Sequence, residues 1–468
     1  MRRTKIVATL GPASSSPDVI RQLVEAGMDV ARLNFSHGTH DDHARSITTL
    51  RAISEELDKP VTILQDLQGP KIRVAQLPGG EILLSPGATV SLVPETNLTA
   101  SSTAIPIDYD GVADEARPGM RVLLADGRLE LEIIKIAGRD LHCRVLEGGV
   151  LKSRSGVNFP HLTLPLPSLT EKDIRDVAFG LEHQVDWISL SFVRSAEDVR
   201  SLKKLLAAQG ASTPVIAKIE KPQAVEHFEE ILAEADGIMV ARGDLGAEVS
   251  PEKVPMLQKR IIERCNRKGL PVITATQMLE SMIRDPSPTR AEASDVANAI
   301  IDGTDAVMLS GESAIGAFPV RAVEMMVRIA SEVEADIEPK TYPASDPTDS
   351  HALSEAATAI ARVIDVHGIA VLTTSGYTAR LMAAERSKAP LFALTTDAGI
   401  YHSLNLFWGL KPLLIEGIPE TFEALVRQAE SALLKLQLVS PGNKILVVGG
   451  LPAGQARGSN FIKIHAIN

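Results

Sequence analysis

Eight apolar runs rich in Val, Ile or Leu alternate with helical patterns along this chain, and that alternation constrains its fold more than anything else. The runs cover residues 5–11, 29–35, 61–67, 186–192, 214–220, 237–243, 271–277 and 305–311. Each reads as a buried strand, and each is followed by a helix or by an insertion and then a helix. Boundary signals agree. Ser16-Pro17 reads as an N-cap with an N1 proline, and Thr170-Glu171-Lys172-Asp173 resembles a capping box. Gly269 reads as a stop before Pro271. Eight such units predict a closed parallel (β/α)8 barrel with its helices outside.

Polar residues gather where these strands end: Arg32, Asn34 and Ser36, then Asp66, Lys218 with Glu220, Asp244, Thr276, and Ser310 with Glu312. The carboxyl ends of barrel strands face the active site, so these residues are the candidates for chemistry. Side chains alternate along a strand, so Lys218 and Glu220 share a face while Ile219 points the other way. Asp244 follows the next strand and brings a second carboxylate. Two acids on adjacent strand tips suit Mg²⁺, which takes few protein oxygens and leaves room for a substrate phosphate. Read singly, either motif is equally an ordinary ion pair or a Gly-Asp turn. The repeated polar strand ends favour a site.

The barrel is expected from residues 1–69 and 167–338, with an interruption and an extension. Residues 70–166 change character: short alternating runs at 121–125, 129–136 and 141–146 are separated by Asp126-Gly127, Gly138-Arg139-Asp140 and Gly148-Gly149. That pattern predicts a small all-β domain. Leaving from a strand's carboxyl end, it should stand over the site as a lid. Residues 338–350, with Pro339, Pro343 and Pro347, read as a linker. Beyond it, strands at 369–375, 390–396, 411–416 and 444–449 alternate with helices, and 461–467 is a candidate edge strand. Residues 339–468 are thus expected to form an open α/β domain of doubly wound type.

Composition excludes several classes. A chain of 468 residues holds two to four domains, and 44% hydrophobic with 23% charged residues is ordinary for a globular protein. The net charge of −11 and 3% aromatic content disfavour nucleic acid and anionic membranes as partners. Two cysteines, Cys143 and Cys265, make no disulfide framework and fit a reducing cytoplasm. The apolar stretch after Met1-Arg2-Arg3 is broken by Gly11-Pro12, too soon for a signal peptide. No apolar run approaches the roughly 20 residues needed to span a bilayer.

The motifs together resemble the pyruvate kinase family. The similarity runs from Thr4-Lys5-Ile6-Val7-Ala8-Thr9-Leu10-Gly11-Pro12 to Gly458-Ser459-Asn460. Between them lie Arg32-Leu33-Asn34-Phe35-Ser36-His37-Gly38, Asp66-Leu67-Gln68-Gly69-Pro70-Lys71-Ile72-Arg73 and Gly156-Val157-Asn158. Ala217-Lys218-Ile219-Glu220, Val240-Ala241-Arg242-Gly243-Asp244-Leu245-Gly246, Ala275-Thr276-Gln277-Met278, Pro288-Thr289-Arg290-Ala291-Glu292 and Leu309-Ser310-Gly311-Glu312-Ser313 complete the set. The resemblance implies phosphoryl transfer from phosphoenolpyruvate to ADP, the last step of glycolysis, and a homotetramer. It implies that Glu220 and Asp244 hold Mg²⁺, with Mn²⁺ as the alternative. Arg32 and Lys218 would bind the phosphoryl group; Gly243, Asp244 and Thr276 would hold the substrate carboxylate, with Thr276 a candidate in enolate protonation. Arg32, Asn34, His37 and Arg73 match nucleotide-contacting positions.

Three departures or refinements accompany the resemblance. Many relatives carry a lysine just before Gly-Val-Asn, where this chain has Ser155, with Arg154 and Lys152 nearby. The family's K⁺ is held at positions equivalent to Asn34, Ser36, Asp66 and Leu67. Potassium-requiring members read Asp-Thr-Lys-Gly-Pro-Glu where this chain ends in Lys71, so a tethered ammonium is expected to replace K⁺. Thr373-Thr374-Ser375-Gly376-Tyr377-Thr378 follows a strand and opens a helix, which favours phosphate. With Thr374 not basic and Arg457 the one cation of the return loop, a sugar monophosphate or AMP is expected there. Two rivals stand beside the kinase: a Mg²⁺-dependent 2-oxo-acid lyase on the same barrel, and a catalytically weak metabolite sensor.

Overall fold

The computed structural model describes the chain except Met1, Asp126, His161 and residues 98–103, 163–166, 343–347, 418, 420 and 452–457. Strands Lys5–Leu10, Val30–Asn34, Thr62–Asp66, Trp187–Leu190, Val215–Ile219, Gly237–Ala241, Val272–Ala275 and Ala306–Leu309 form a closed barrel. All pairs are parallel, and the first strand closes the ring by pairing with both the second and the eighth. Apart from Asn34, every residue in them is buried, which is why the runs read as continuously apolar.

The helices show their local causes. Pro17–Ala26 starts at Ser16, whose hydroxyl accepts from the Val19 N–H, and buries Ile20, Leu23 and Val24 against the barrel. Thr170 and Asp173 form the expected capping box ahead of Glu171–Glu182. Gly269, at φ 70°, ends Val254–Lys268 in the left-handed region that glycine adopts without cost.

After the third strand the chain leaves for the lid. A six-stranded sheet has the order Val157–Asn158, Arg121–Leu124, Leu129–Ala137, Asp140–Glu147, Thr89–Pro94, Ala104–Ile107. A second pair joins Gly149–Lys152 to Glu81–Leu84. Leu92, Ile105, Leu131, Ile133 and Cys143 fill the lid's own core. Ala104–Ile107 lies at an edge, where Pro106 costs no ladder bond.

The C-terminal part carries a five-stranded sheet in the order Leu410–Leu414, Leu391–Thr395, Gly368–Leu372, Lys444–Gly449, Phe461–Ala466. The last strand is antiparallel and sits at the edge, as its position in the sequence implied. Pro343 and Pro347 of the expected linker lie outside the described residues.

This domain plugs the amino-terminal end of the barrel. Barrel-interior Val7, Val30, Leu64 and Trp187 share one core with Phe407 and Leu410. Trp187 Nε1 donates to Ser403 O at 3.0 Å, and Asn405 Nδ2 donates to Pro60 O at 2.7 Å. Lys5 Nζ donates to Leu410 O at 2.7 Å; burial pulls this ammonium down to about 8, against the pull of Asp29. With one end sealed, the site belongs at the other, under the lid. No helix among the described residues is long and apolar enough to cross a membrane.

Candidate active site

The fifth strand delivers the expected pair: Lys218 Nζ lies 2.9 Å from Glu220 Oε1. The same ammonium is 3.4 Å from Asp66 Oδ1 and donates to Ser191 Oγ at 2.8 Å. Asp66 ends the third strand and also takes Arg32, from Nε at 2.7 Å and Nη2 at 2.5 Å, both on Oδ2. Ser189 Oγ donates to its Oδ1 at 2.6 Å. One buried carboxylate therefore orients both cations expected to meet the transferring phosphoryl group. Burial alone would push Asp66 up, but Lys218 and Arg32 hold it below its ordinary range. Burial would pull Lys218 down, yet Asp66 and Glu220 hold it above. The ammonium stays charged.

Asp244 sits in the first turn of helix Arg242–Val249, and its Oδ1 lies 3.3 Å from Lys71 Nζ. Glu220 is raised by burial, with Lys218 opposing and the Asp244 charge adding to the rise. Two hard-oxygen carboxylates that repel each other across an open cavity are a fitting donor pair for a divalent cation. Among the described residues no group of three or more His, Cys, Asp or Glu gathers as a metal site.

Thr276 and Gln277 follow the seventh strand with φ of 69° and 54°, left-handed values that cost a β-branched threonine. The turn aims the Thr276 hydroxyl at the start of helix Arg242–Val249, where Oγ1 accepts from the Gly243 N–H at 2.7 Å. Its own proton goes to Ala275 O at 2.6 Å. Gly243 and Thr276, both expected to meet the substrate carboxylate, are thus bonded to each other here. Arg242 braces the turn from behind, donating to Thr276 O at 2.7 Å and pairing with Asp295 at 2.8 Å.

A cavity of about 700 Å³ lies between this floor and the lid. Arg32, Asn34, Ser36, His37, Lys71, Arg73, Lys218, Glu220 and Asp244 all line it, so the nucleotide and metal candidates converge. The lid adds Arg128, Lys152 and Arg154 beside Ser155. Seven Lys or Arg side chains thus face two carboxylates, a lining suited to phosphates. Burial lowers His37, and Arg73, Arg32 and Lys71 repel its proton further. Of the residues expected around K⁺, Asp66 and Leu67 are buried behind the wall, and Leu67 O accepts from Ser191 Oγ at 2.7 Å. Asn34 Oδ1 accepts from the Ser36 N–H at 3.1 Å.

Residues 1–323 match the family model described as "Pyruvate kinase, barrel domain", and residues 351–465 match "Pyruvate kinase, alpha/beta domain". The chain belongs to the pyruvate kinase family. It is 47% identical over 474 residues to "Pyruvate kinase 2" of Synechocystis sp., covering all of this chain and 79% of that protein. It is 43% identical over 471 residues to the Agrobacterium vitis pyruvate kinase, covering 97% of it, and 43% over 476 residues to that of Geobacillus stearothermophilus, covering 81%. All of this chain is matched in both.

The pyruvate kinase motifs did not single out Ser189, Ser191, Phe192 or Arg128. The two serines follow the alternation that paired Lys218 with Glu220, so period-two reading of the fourth strand could have found them. The Phe192 N–H, which donates to Glu220 Oε2 at 2.7 Å, leaves no mark in side-chain chemistry. The candidate effector loop lies in the C-terminal domain, remote from this floor. There Thr373 Oγ1 accepts from Gly376 N at 2.9 Å, and Ser459 Oγ meets Thr378 Oγ1 at 2.8 Å. Thr374 and Ser375 are exposed, and Arg457 lies outside the described residues.

Proposed function

We infer that this chain transfers a phosphoryl group from phosphoenolpyruvate to ADP, giving pyruvate and ATP. One observation carries the assignment of roles: Lys218 and Arg32 converge on Asp66 at the floor of a cation-lined cavity that also receives Glu220 and Asp244. A β-phosphate oxygen of ADP attacks phosphorus, the bond to the enolpyruvate oxygen breaks, and the enolate takes a proton at carbon. Charge spreads over the phosphoryl oxygens during transfer, so fixed positive charge does most of the work. Lys218 meets the phosphoryl group and offsets the enolate left behind. Arg32 clamps the phosphate with its planar fork. Arg73, His37 and Asn34 meet the nucleotide, and Arg128, Lys152 and Arg154 supply the lid charge missing at Ser155.

Glu220 and Asp244 are the residues that would hold Mg²⁺ or Mn²⁺, which when bound neutralises charge on the substrate oxygens. The Asp244 N–H, and the Gly243 N–H and Thr276 hydroxyl once their mutual bond opens, receive the substrate carboxylate. Thr276 must first turn its hydroxyl away from Ala275 O before it can share in proton delivery. A coupled assay of phosphoenolpyruvate, ADP and Mg²⁺ tests the reaction; cleavage of a 2-oxo acid without ATP formation would favour a lyase instead.

Lys71 supports independence from K⁺. Its ammonium lines the same cavity as Asn34 and Ser36, although the acid it meets there, at 3.3 Å, is the metal candidate Asp244 rather than Asp66. Activity should change less than about threefold between K⁺-free and K⁺-rich buffer, and Lys71→Glu should create a K⁺ requirement; a loss of about tenfold in the parent without K⁺ overturns this.

The hydroxyl- and N–H-rich turn at 373–378 is proposed to bind the phosphate of a sugar monophosphate or AMP. The shared core between the C-terminal domain and the barrel gives such binding a physical route to the site. It counts as allostery only if the ligand prefers one global state. Titration at low phosphoenolpyruvate should raise the rate, and an unchanged rate across such a panel ends the proposal. A cytoplasmic homotetramer is the setting proposed from the family.

A further inference from the structure

Resting on that reading, the geometry points to Glu248 as a positioning residue that anchors the lid's returning strand to the helix carrying Asp244. Glu248 is buried near the end of helix Arg242–Val249, with 3% of the residue exposed. Its Oε1 accepts from Asn158 Nδ2 at 2.8 Å and pairs with Lys221 Nζ at 2.5 Å. Asn158 belongs to the lid strand Val157–Asn158, which pairs with Arg121–Leu124. Lys221 directly follows Glu220. The three partners therefore come from the lid, from the helix of one candidate metal acid and from the strand of the other.

Local rules put each partner there. Lys221 precedes Pro222 and is held extended, at φ −119° and ψ 149°, as the residue before a proline prefers. Successive residues of an extended chain point to opposite sides, so Glu220 faces the cavity while Lys221 faces Glu248. The Lys221 ammonium also lies 5.8 Å from the Phe192 ring centre, and Lys71 lies 5.9 Å from it on the segment that leaves the barrel for the lid, one of the two chain crossings that make the lid's hinge. The two hinge segments meet here too: Val157 N donates to Ile72 O at 2.9 Å, and Arg73 bridges to Gly156. Phe192 in turn holds Glu220 through its N–H. A buried carboxylate joining hinge, helix and strand fixes where the lid cations stand relative to Asp244. Losing the Asn158 bond frees the returning strand without removing any group that touches substrate.

The test uses the full chain and compares the parent with Asn158→Ala, with Glu248→Met, which keeps length without an acceptor, and with the double variant. Hydrogen–deuterium exchange over residues 154–160 of the ligand-free protein reads the anchor, and KM for ADP reads its consequence. Each single change should speed exchange about tenfold and raise KM for ADP about fivefold, with a smaller effect on kcat, and the double should be no worse than the worse single. Exchange and KM within about twofold of the parent, or additive effects of the two changes, overturn the assignment even if melting temperature falls. If the parent makes no ATP from phosphoenolpyruvate and ADP, the function proposed above falls, while the exchange measurement still judges the anchor.

Discussion

Replacing Lys218 by methionine is expected to lower kcat about 100- to 1,000-fold while leaving divalent-cation binding no weaker. Methionine keeps the unbranched apolar stem, so the fifth strand loses a charge rather than a shape. The ammonium is nearly buried and held by Glu220, Asp66 and Ser191 at 2.9, 3.4 and 2.8 Å, so no reorganisation precedes the reaction. Fixed charge in such a poorly solvated place is worth far more to a developing enolate than the same charge in water. The metal side moves the other way. Lys218 now neutralises part of Glu220, and its removal leaves Glu220 and Asp244 facing a bound cation with less competition. Steady-state kinetics gives the first number and titration with Mn²⁺ the second. Turnover within about tenfold of the parent would remove Lys218 from the chemistry and favour a sensor over a kinase. Weaker Mn²⁺ binding would mean that Lys218 orients Glu220 rather than competing for it.

What the sequence revealed about this floor follows from the range of each rule. Lys218 and Glu220 were legible because alternation along one strand is local. Asp66 was legible only as a polar strand end: its task of orienting Arg32 and Lys218 depends on register across strands, which sets Asn34 and Ser189 beside it. No rule confined to one strand contains that register. The eight barrel strands were plain because burial on both faces leaves an apolar run. The lid strands Glu81–Leu84 and Gly149–Lys152 were not, since they mix exposed and buried residues in four-residue stretches beside glycines. Arg128 follows the Asp126-Gly127 turn signal and belongs to no motif, and only the lid's placement brings it to the cavity. Thr276 was expected to meet the substrate carboxylate; the left-handed backbone that aims its hydroxyl at Gly243 and Ala275 has no signature in a Thr-Gln pair.

The seal at the far end of the barrel carries the other large effect: Asp305→Ala is expected to cost about 3–5 kcal/mol of stability. Asp305 precedes the eighth strand, and its carboxylate accepts from Val272 N at 3.0 Å, from Arg386 Nη2 at 3.0 Å and from Trp408 N at 3.3 Å. Barrel and C-terminal domain thus share one buried acid. Burial raises its pKa, and Arg386 only partly offsets the rise. Arg386 is itself 6% exposed, lies 4.9 Å from the Trp408 ring centre, and has no hydrogen-bond partner for Nη1 among the described residues. Deleting the acid strands that guanidinium in a seam too dry to solvate it, although Asn266 Oδ1 and Gly303 O still accept from Nη2. The double variant Asp305→Ala with Arg386→Met should recover part of the loss, because an apolar pair avoids the desolvation that the ion pair must overcome. Denaturant unfolding followed by far-ultraviolet circular dichroism measures both. The C-terminal domain should unfold ahead of the barrel in the single variant, since its shared anchor is the group removed. Because the mouth lies at the opposite end, kcat at saturating substrate should stay within about threefold of the parent. A single-variant loss below about 1 kcal/mol, or a double variant no more stable than the single, would show that packing around Trp408 and Phe407, rather than this ion pair, holds the two domains together.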